Sequence, residues 1–258
     1  MTGALAGVVS ELWRFPVKSM QGERIPEGEL TARGIVGDRR YAARDATDGR
    51  VLSAKRYGRL LMASARTEAD GTVVITLPEA GEHRADDPGI HAVLSGWLEH
   101  PCRLEPPSED EVAFEMSLDA DHPDDDTFNW PCPPGTYLDL GAAHLLTTAS
   151  LAAARGLHPD DAWDVRRFRP TALIDAGETA EFLEDAWVGC TVDLGGATLT
   201  VDMPTIRCPM PTRPQPGGVP RDLGIAHTLR DHHGNNLGVY ASVTRPGRVA
   251  VGDQVLVR

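Results

Sequence analysis

Apolar positions in the first hundred residues fall in short or alternating runs closed by turn residues, at Val8–Val17, Arg40–Arg44, Arg59–Arg66 and Thr72–Leu77. Runs of that length and period read as β-strands, because successive side chains of a strand point to opposite faces. One segment differs. Ile90, Val93, Leu94, Trp97 and Leu98 recur at the spacing of an amphipathic helix, which Pro88 helps to start. From Glu105 to Gly135 no period holds; six prolines and ten carboxylates read as a solvated connection or a surface excursion.

Beyond that break, Leu145–Arg155 reads as a second helix, with Thr147 or Thr148 as N-cap, an alanine-rich body and Gly156 as its stop. A strand at Leu173-Ile174 follows Arg169-Pro170. Trp187–Leu194 and Ala197–Val201 flank Gly195-Gly196, a hairpin whose two glycines supply the positive φ of a tight turn. Leu237–Val243 and Val249–Val257 return to alternation, with Gly247 and Gly252 as punctuation. The fold class expected is mainly β with short helices (α+β).

Composition narrows the function. The chain has 258 residues, 41% hydrophobic and 24% charged, which suits one large or two small folded domains. A net charge of −13 repels phosphate backbones and anionic membrane surfaces, so neither nucleic acid nor membrane is expected as a partner. The excess is local: between Arg103 and Arg155 there is no lysine or arginine, while eleven carboxylates run from Glu105 to Asp139. Lys18 and Lys55 are the only lysines. The N-terminal stretch lacks a basic export region and no long apolar run occurs, so a soluble cytoplasmic protein is expected. Cys102, Cys132, Cys190 and Cys208 form no CxxC pair and read as reduced thiols. The common dinucleotide, P-loop, zinc-protease and serine-hydrolase signatures are absent.

Three places carry candidate chemistry. Cys208 lies beside Arg207 in a loop stiffened by Pro204, Pro209 and Pro211, a setting that presents a sulfur and favours a thiolate; a packed-away small hydrophobe is the plain alternative. Arg166, Arg167 and Arg169 precede a strand and could grip a phosphate or carboxylate, or form a surface salt-bridge cluster. Phe15–Ser19 ends the first strand with Lys18 and Ser19, and Gly37–Arg40 adds Arg39; alone, Lys18 reads as a surface charge and Asp38 as a turn former. Asp119–Asp126 fails as a calcium loop, having Pro123 where an oxygen ligand belongs, and His232-His233 has no partner at a metal-binding spacing.

Taken in order, FPVKS, GDRR, the hydroxyls of the Thr147–Ser150 stretch, RRFRP, the Arg207-Cys208 pair with Thr212 four positions on, and the final GVYASV and RVAVGDQV resemble the MOSC family over nearly the whole chain. The branch it looks like includes the mitochondrial amidoxime reducing component and YcbX-type proteins. The resemblance implies an N-terminal MOSC β-barrel-like domain at 1–110, whose first strand at 8–19 reaches the site, an acidic connection at 111–135 and a MOSC β-barrel at 136–258. It implies molybdenum with molybdopterin as cofactor, Cys208 as metal ligand and catalytic residue, and Lys18, Ser19, Arg39, Thr148, Ser150, Arg169, Arg207 and Tyr240 around the phosphate or pterin. The activity implied is reduction of a small N-hydroxylated or related substrate. Alternatives are a persulfide carrier on Cys208 and a non-catalytic cofactor-binding protein. The chain departs from the family pattern at Thr171, where an Asn is usual, and at Arg213-Pro214-Gln215, where an acidic segment is usual. A charge reversed there would change which substrates enter. YcbX-type chains continue into an iron–sulfur domain; the sequence here does not, so electrons are expected from a separate protein.

Overall fold

Seven strands close into one barrel: β1 (Ala4–Arg14), β2 (Ala143–Thr147), β3 (Ala172–Asp175), β4 (Thr191–Leu194), β5 (Ala197–Ile206), β6 (Asn236–Arg245) and β7 (Gln254–Val257). The computed structural model describes residues 3–123, 125, 127–159 and 163–258. Around the barrel the order is β1, β3, β2, β6, β5, β4, β7 and back to β1; only β2 and β3 run parallel. The first strand of the chain is thus a barrel stave, pairing Val9 with Ile174 and Leu5 with Leu256. Val9, Leu12, Leu145, Val192, Leu199 and Val239 fill the interior, and the mainly β class is the one observed.

β1 starts earlier and stops sooner than alternation suggests. Pro16 has no N–H for a ladder, and the N–H of Phe15 goes to Asp38 Oδ1 at 2.7 Å, so Phe15–Ser19 peels away instead of continuing the strand to residue 19. The expected Arg59–Arg66 strand is half 3-10 helix, Gly58–Met62. Leu60 and Leu61 are both buried, which a half-solvated strand cannot arrange. Its second half, Ser64–Thr67, joins Val73–Leu77 and Gly81–Arg84 in a meander. Helix α1 (Ile90–Leu98) packs Ile90, Leu94, Trp97 and Leu98 in the same core as Ile75 and Leu77.

The Leu145–Arg155 helix is corrected likewise. Ala143–Thr147 are all buried because β2 faces the barrel on one side and helices on the other, so the helix α2 begins only at Thr148 and runs through Gly156 to Leu157. Thr147 Oγ1 caps it, accepting from the N–H of Ser150 at 3.0 Å. Helix α3 (Gly224–His233) buries only Ile225 and Leu229, too few positions for its period to show in the sequence.

Trp187 ends a 3-10 turn rather than starting β4, and of the two hairpin glycines only Gly195 takes a positive φ, 56°. A Cβ there would meet Asp253 Oδ2 at 2.2 Å. The expected Val249–Val257 strand is two, Gly247–Ala250 and β7; the first leaves the barrel to pair with Glu27–Thr31.

Between Glu105 and Gly135 the described residues are more than a solvated connection. Ala113–Met116 pairs with Phe128–Pro131, and Val112, Phe114, Met116 and Cys132 pack with Ala42, Val51 and Tyr137. Part of the acidic run falls outside the described residues. No helix among those described is long and apolar enough to cross a membrane.

Candidate functional site

Where the chain leaves β1 and β5, two loops face a cleft at the barrel's end, about 890 Å³ counted with the solvent at its mouth. Lys18 and Ser19 enter it after β1, Arg39 from the turn after the short strand Gly34–Ile35, His144 from β2 and Tyr240 from β6. Arg169 comes from the turn before β3, and Arg207 and Cys208 from the loop after β5. These positions run from Lys18 to Tyr240, most of the length of the chain.

The backbone is under strain where these side chains are presented. Ser19, Arg39 and Arg169 have φ of 71°, 46° and 54°, a left-handed conformation that non-glycine residues adopt only when their surroundings impose it. Asn235, at 61°, exchanges hydrogen bonds with Arg207: its Nδ2 donates to Arg207 O at 2.9 Å, and the N–H of Arg207 donates to Asn235 O at 2.8 Å. The loop carrying Cys208 is fixed by that clamp.

Charge is concentrated against the trend of the whole chain. Among the described residues five cations line the cleft, Lys18, Lys55, Arg39, Arg169 and Arg207, with Asp139 as the single carboxylate. Two guanidiniums lie near the Phe15 ring, Arg39 at 5.0 Å and Arg169 at 4.0 Å from its centroid. Burial, and then the charge of Arg39, lowers Arg169 to about 9, so it remains cationic at neutral pH. Arg169 donates to Met20 O at 2.6 Å, tying the arm after β1 to the barrel. Burial disfavours the charge of Arg39, but its pairing with Asp38 outweighs that and raises its pKa. Arg207 is lowered by burial, and its Nε is buried with no hydrogen-bond partner among the described residues. His144 is driven down to about 3, first by burial and then by Arg207, so its ring is neutral; its nitrogens lie 3.4 Å from Arg169 O and Leu237 O. Burial and then Asp139 raise Tyr240, which stays a phenol. Cys208 is a free, partly exposed thiol.

Thr148 and Ser150 are not in the cleft. Thr148 Oγ1 accepts from the N–H of Ala176 at 3.2 Å, and Ser150 Oγ donates to buried Glu184 at 2.6 Å. Both hydroxyls are taken up by neighbouring parts of the chain, and Thr147, not either of them, caps the helix. The three clustered arginines separate as well. Arg166 turns outward onto Asp164, Arg167 is fully buried under the cysteine loop, and Arg169 alone lines the cleft. Arg213 does not line it; its guanidinium donates to Lys55 O. Thr171 does, and its Oγ1 accepts from the N–H of His144 at 3.1 Å.

Lys55, Asp139, Phe114 and His144 were not marked as site residues by any motif. Lys18 and Lys55 bind the two oxygens of Asp139, Lys55 at 2.7 Å. Burial opposes its charge, yet the two ammonium groups hold the Asp139 carboxyl far below the usual range. The scarcity of lysine was the only available signal. His232-His233 is not a metal pair; His233 stacks on Phe182 and pairs with Asp185 at 2.6 Å. No group of three His, Cys, Asp or Glu side chains converges among the described residues.

Residues 6–90 match the family model described as MOSC N-terminal beta barrel domain, and residues 136–256 that described as MOSC domain. No curated protein matches the chain. Among solved structures, the YuaD protein from Bacillus subtilis is similar at 12% identity, covering 100% of this chain and 96% of that one with a TM-score of 0.46. YiiM from Geobacillus stearothermophilus is similar at 14% identity, covering 46% of this chain and 54% of that one with a TM-score of 0.32.

Proposed function

Because the chain belongs to the MOSC family, with the N-terminal β-barrel domain and the MOSC domain in one polypeptide, we propose that it is a cytoplasmic oxidoreductase. It would bind molybdenum with molybdopterin and reduce a small N-hydroxylated or related N–O substrate. The observation that carries this reading is one cleft, net positive in a chain of net charge −13, that also presents a free cysteine. Two features suit the cofactor. A soft thiolate is a good molybdenum ligand, and the unpartnered Nε of buried Arg207 is a donor awaiting an acceptor. When bound, the group would supply two-electron redox chemistry, with electrons arriving from a separate protein.

The chain's own residues have distinct tasks. Cys208 Sγ would hold the metal, while Lys18, Arg39 and Arg169 give charge-assisted hydrogen bonds to the phosphate. Met116, Leu138 and Met210 line the same cleft and displace water from around these charges, which strengthens each contact. His144 and Tyr240, both uncharged at neutral pH, leave the positive field unweakened and offer hydrogen bonds to a pterin edge. A persulfide carrier would need the thiol but not the five cations.

The test is molybdenum and pterin per chain in protein made with molybdate supplied. Wild type should carry both in near-equal amounts. Cys208→Ser should lose at least about nine-tenths of the metal, since a hydroxyl is a harder, poorer ligand. Cys190→Ser should lose none. Wild-type protein with neither metal nor pterin, or a Cys208→Ser protein with full metal, would refute the proposal.

A further inference from the structure

Both lysines of the chain converge on one aromatic ring and one carboxylate. Lys18 and Lys55 are 4% and 3% exposed, and their Nζ atoms lie 4.3 Å and 4.0 Å from the Phe114 ring centroid. Two ammonium groups buried this close repel one another, and Asp139 returns only one negative charge to the pair. Their hydrogen bonding is also incomplete. Each ammonium has three N–H groups; Lys18 donates to Tyr137 O at 2.7 Å and to Asp139, whereas Lys55 donates to Asp139 as its one acceptor among the described residues.

Asp139 itself is less confined. Its side chain is 30% exposed, while its main chain is anchored by Trp130 Nε1, which donates to Asp139 O at 2.9 Å. The carboxylate can therefore turn out of the pair without moving the backbone, and the lysines it leaves already line the cleft.

We propose that Lys18 and Lys55 form an oxyanion subsite that Asp139 fills from within the chain, so that a phosphate group binds there by displacing this carboxylate. A phosphate monoester brings close to two negative charges and three acceptor oxygens, against one charge and two oxygens, and so answers both deficits of the pair. Neither Lys55 nor Asp139 is among the residues the family resemblance marks, and the inference stands whether or not molybdenum binds at Cys208. The phosphate belongs either to a pterin cofactor or to a separate phosphorylated ligand; its chemistry is the same.

The composition supplies a clean assay, because protein labelled with 13C in lysine gives only two side-chain Cε signals. Inorganic phosphate titrated into cofactor-free wild type should shift both signals together. Asp139→Asn should tighten phosphate binding about tenfold or more by removing the internal competitor, and Asp139→Asn with Lys55→Met should lose that gain. In pterin-loaded protein, signals already shifted and unresponsive identify the cofactor's phosphate as the ligand; signals still responsive identify a separate one and take Lys18 out of the cofactor's grip. Either outcome requires the subsite. Weaker phosphate binding in folded Asp139→Asn would overturn the proposal. Should that variant not fold, lysine signals of wild type left unmoved by saturating phosphate would overturn it equally.

Discussion

Replacing Arg167 with alanine should loosen the cysteine loop far more than replacing either neighbouring arginine. Arg167 is 0% exposed, and its guanidinium donates to three main-chain oxygens: Pro211 at 2.8 Å, Arg213 at 3.1 Å and Pro220 at 2.7 Å. Those carbonyls belong to the segment that follows Cys208, so one side chain holds the loop's return path. A hydrogen bond from a charged donor contributes about 1.5–3 kcal/mol. Water entering the vacated space would recover part of three such bonds, leaving a net loss of about 3–5 kcal/mol. Against a total stability of about 5–15 kcal/mol that is a large share. For a chain of this size it corresponds to a fall in melting temperature of about 6–20 °C. Arg166 is the control, since its pair with Asp164 is about one-third exposed and worth no more than about 1 kcal/mol. Thermal unfolding followed by circular dichroism measures both. An Arg167→Ala protein melting within about 2 °C of wild type, or no lower than Arg166→Ala, would refute the reasoning.

Two further outcomes are expected. Gly238 has φ of 79°, and a Cβ there would lie 2.4 Å from His144 Nε2 and 2.7 Å from Leu145 O, so Gly238→Ala should cost about 1–3 kcal/mol in urea unfolding; wild-type stability would show that β6 can shift to make room. Burial raises the pKa of Glu184, against the hydroxyl hydrogen bonds of Ser150 and Thr147 that lower it. The folded chain then keeps this proton longer than the unfolded one, so the stabilisation is whole below the ordinary carboxylate range and is lost as pH rises through the raised value. Glu184→Gln, uncharged throughout, should gain in melting temperature relative to wild type between about pH 5 and pH 8, and a difference that stays constant with pH would contradict this.

What could be read from the sequence was whatever one face of one element recorded. Helix α1 was legible to the residue because its apolar stripe faces a single core while its other face meets water. β2 was not, because a strand covered on both sides shows an unbroken apolar run that a helix can also produce. Cys208 with Arg207, Lys18 with Ser19, and Arg169 before its proline were legible as local patterns, and the structure gathers them in one cleft. Asp139 gave no such signal, being the last of eleven carboxylates in a run that reads as solvated. Its role comes from two partners 121 and 84 residues away, a distance that no local pattern spans. Thr148 and Ser150 mislead in the other direction, since hydroxyls at a helix start read as a ligand motif while theirs are taken by the N–H of Ala176 and by Glu184.

The place of β1 in the barrel sets an order of events during synthesis. Of the seven staves this one leaves the ribosome before the others, yet its barrel neighbours are β3, at Ala172–Asp175, and β7, at Gln254–Val257. At about 5–20 residues per second, β1 waits roughly ten seconds to a minute for the second of them. During that wait only its last residues are paired, with Glu23–Arg24, and an edge open elsewhere invites pairing with whatever strand arrives next, from the same chain or a neighbouring one. Glu11 within the mainly apolar β1 and Arg14 at its end suit a segment that has to remain largely unpaired while its partners are still being made. Slowing translation ahead of residue 254 should therefore lower the soluble yield, with aggregation as the competing fate of the waiting strand.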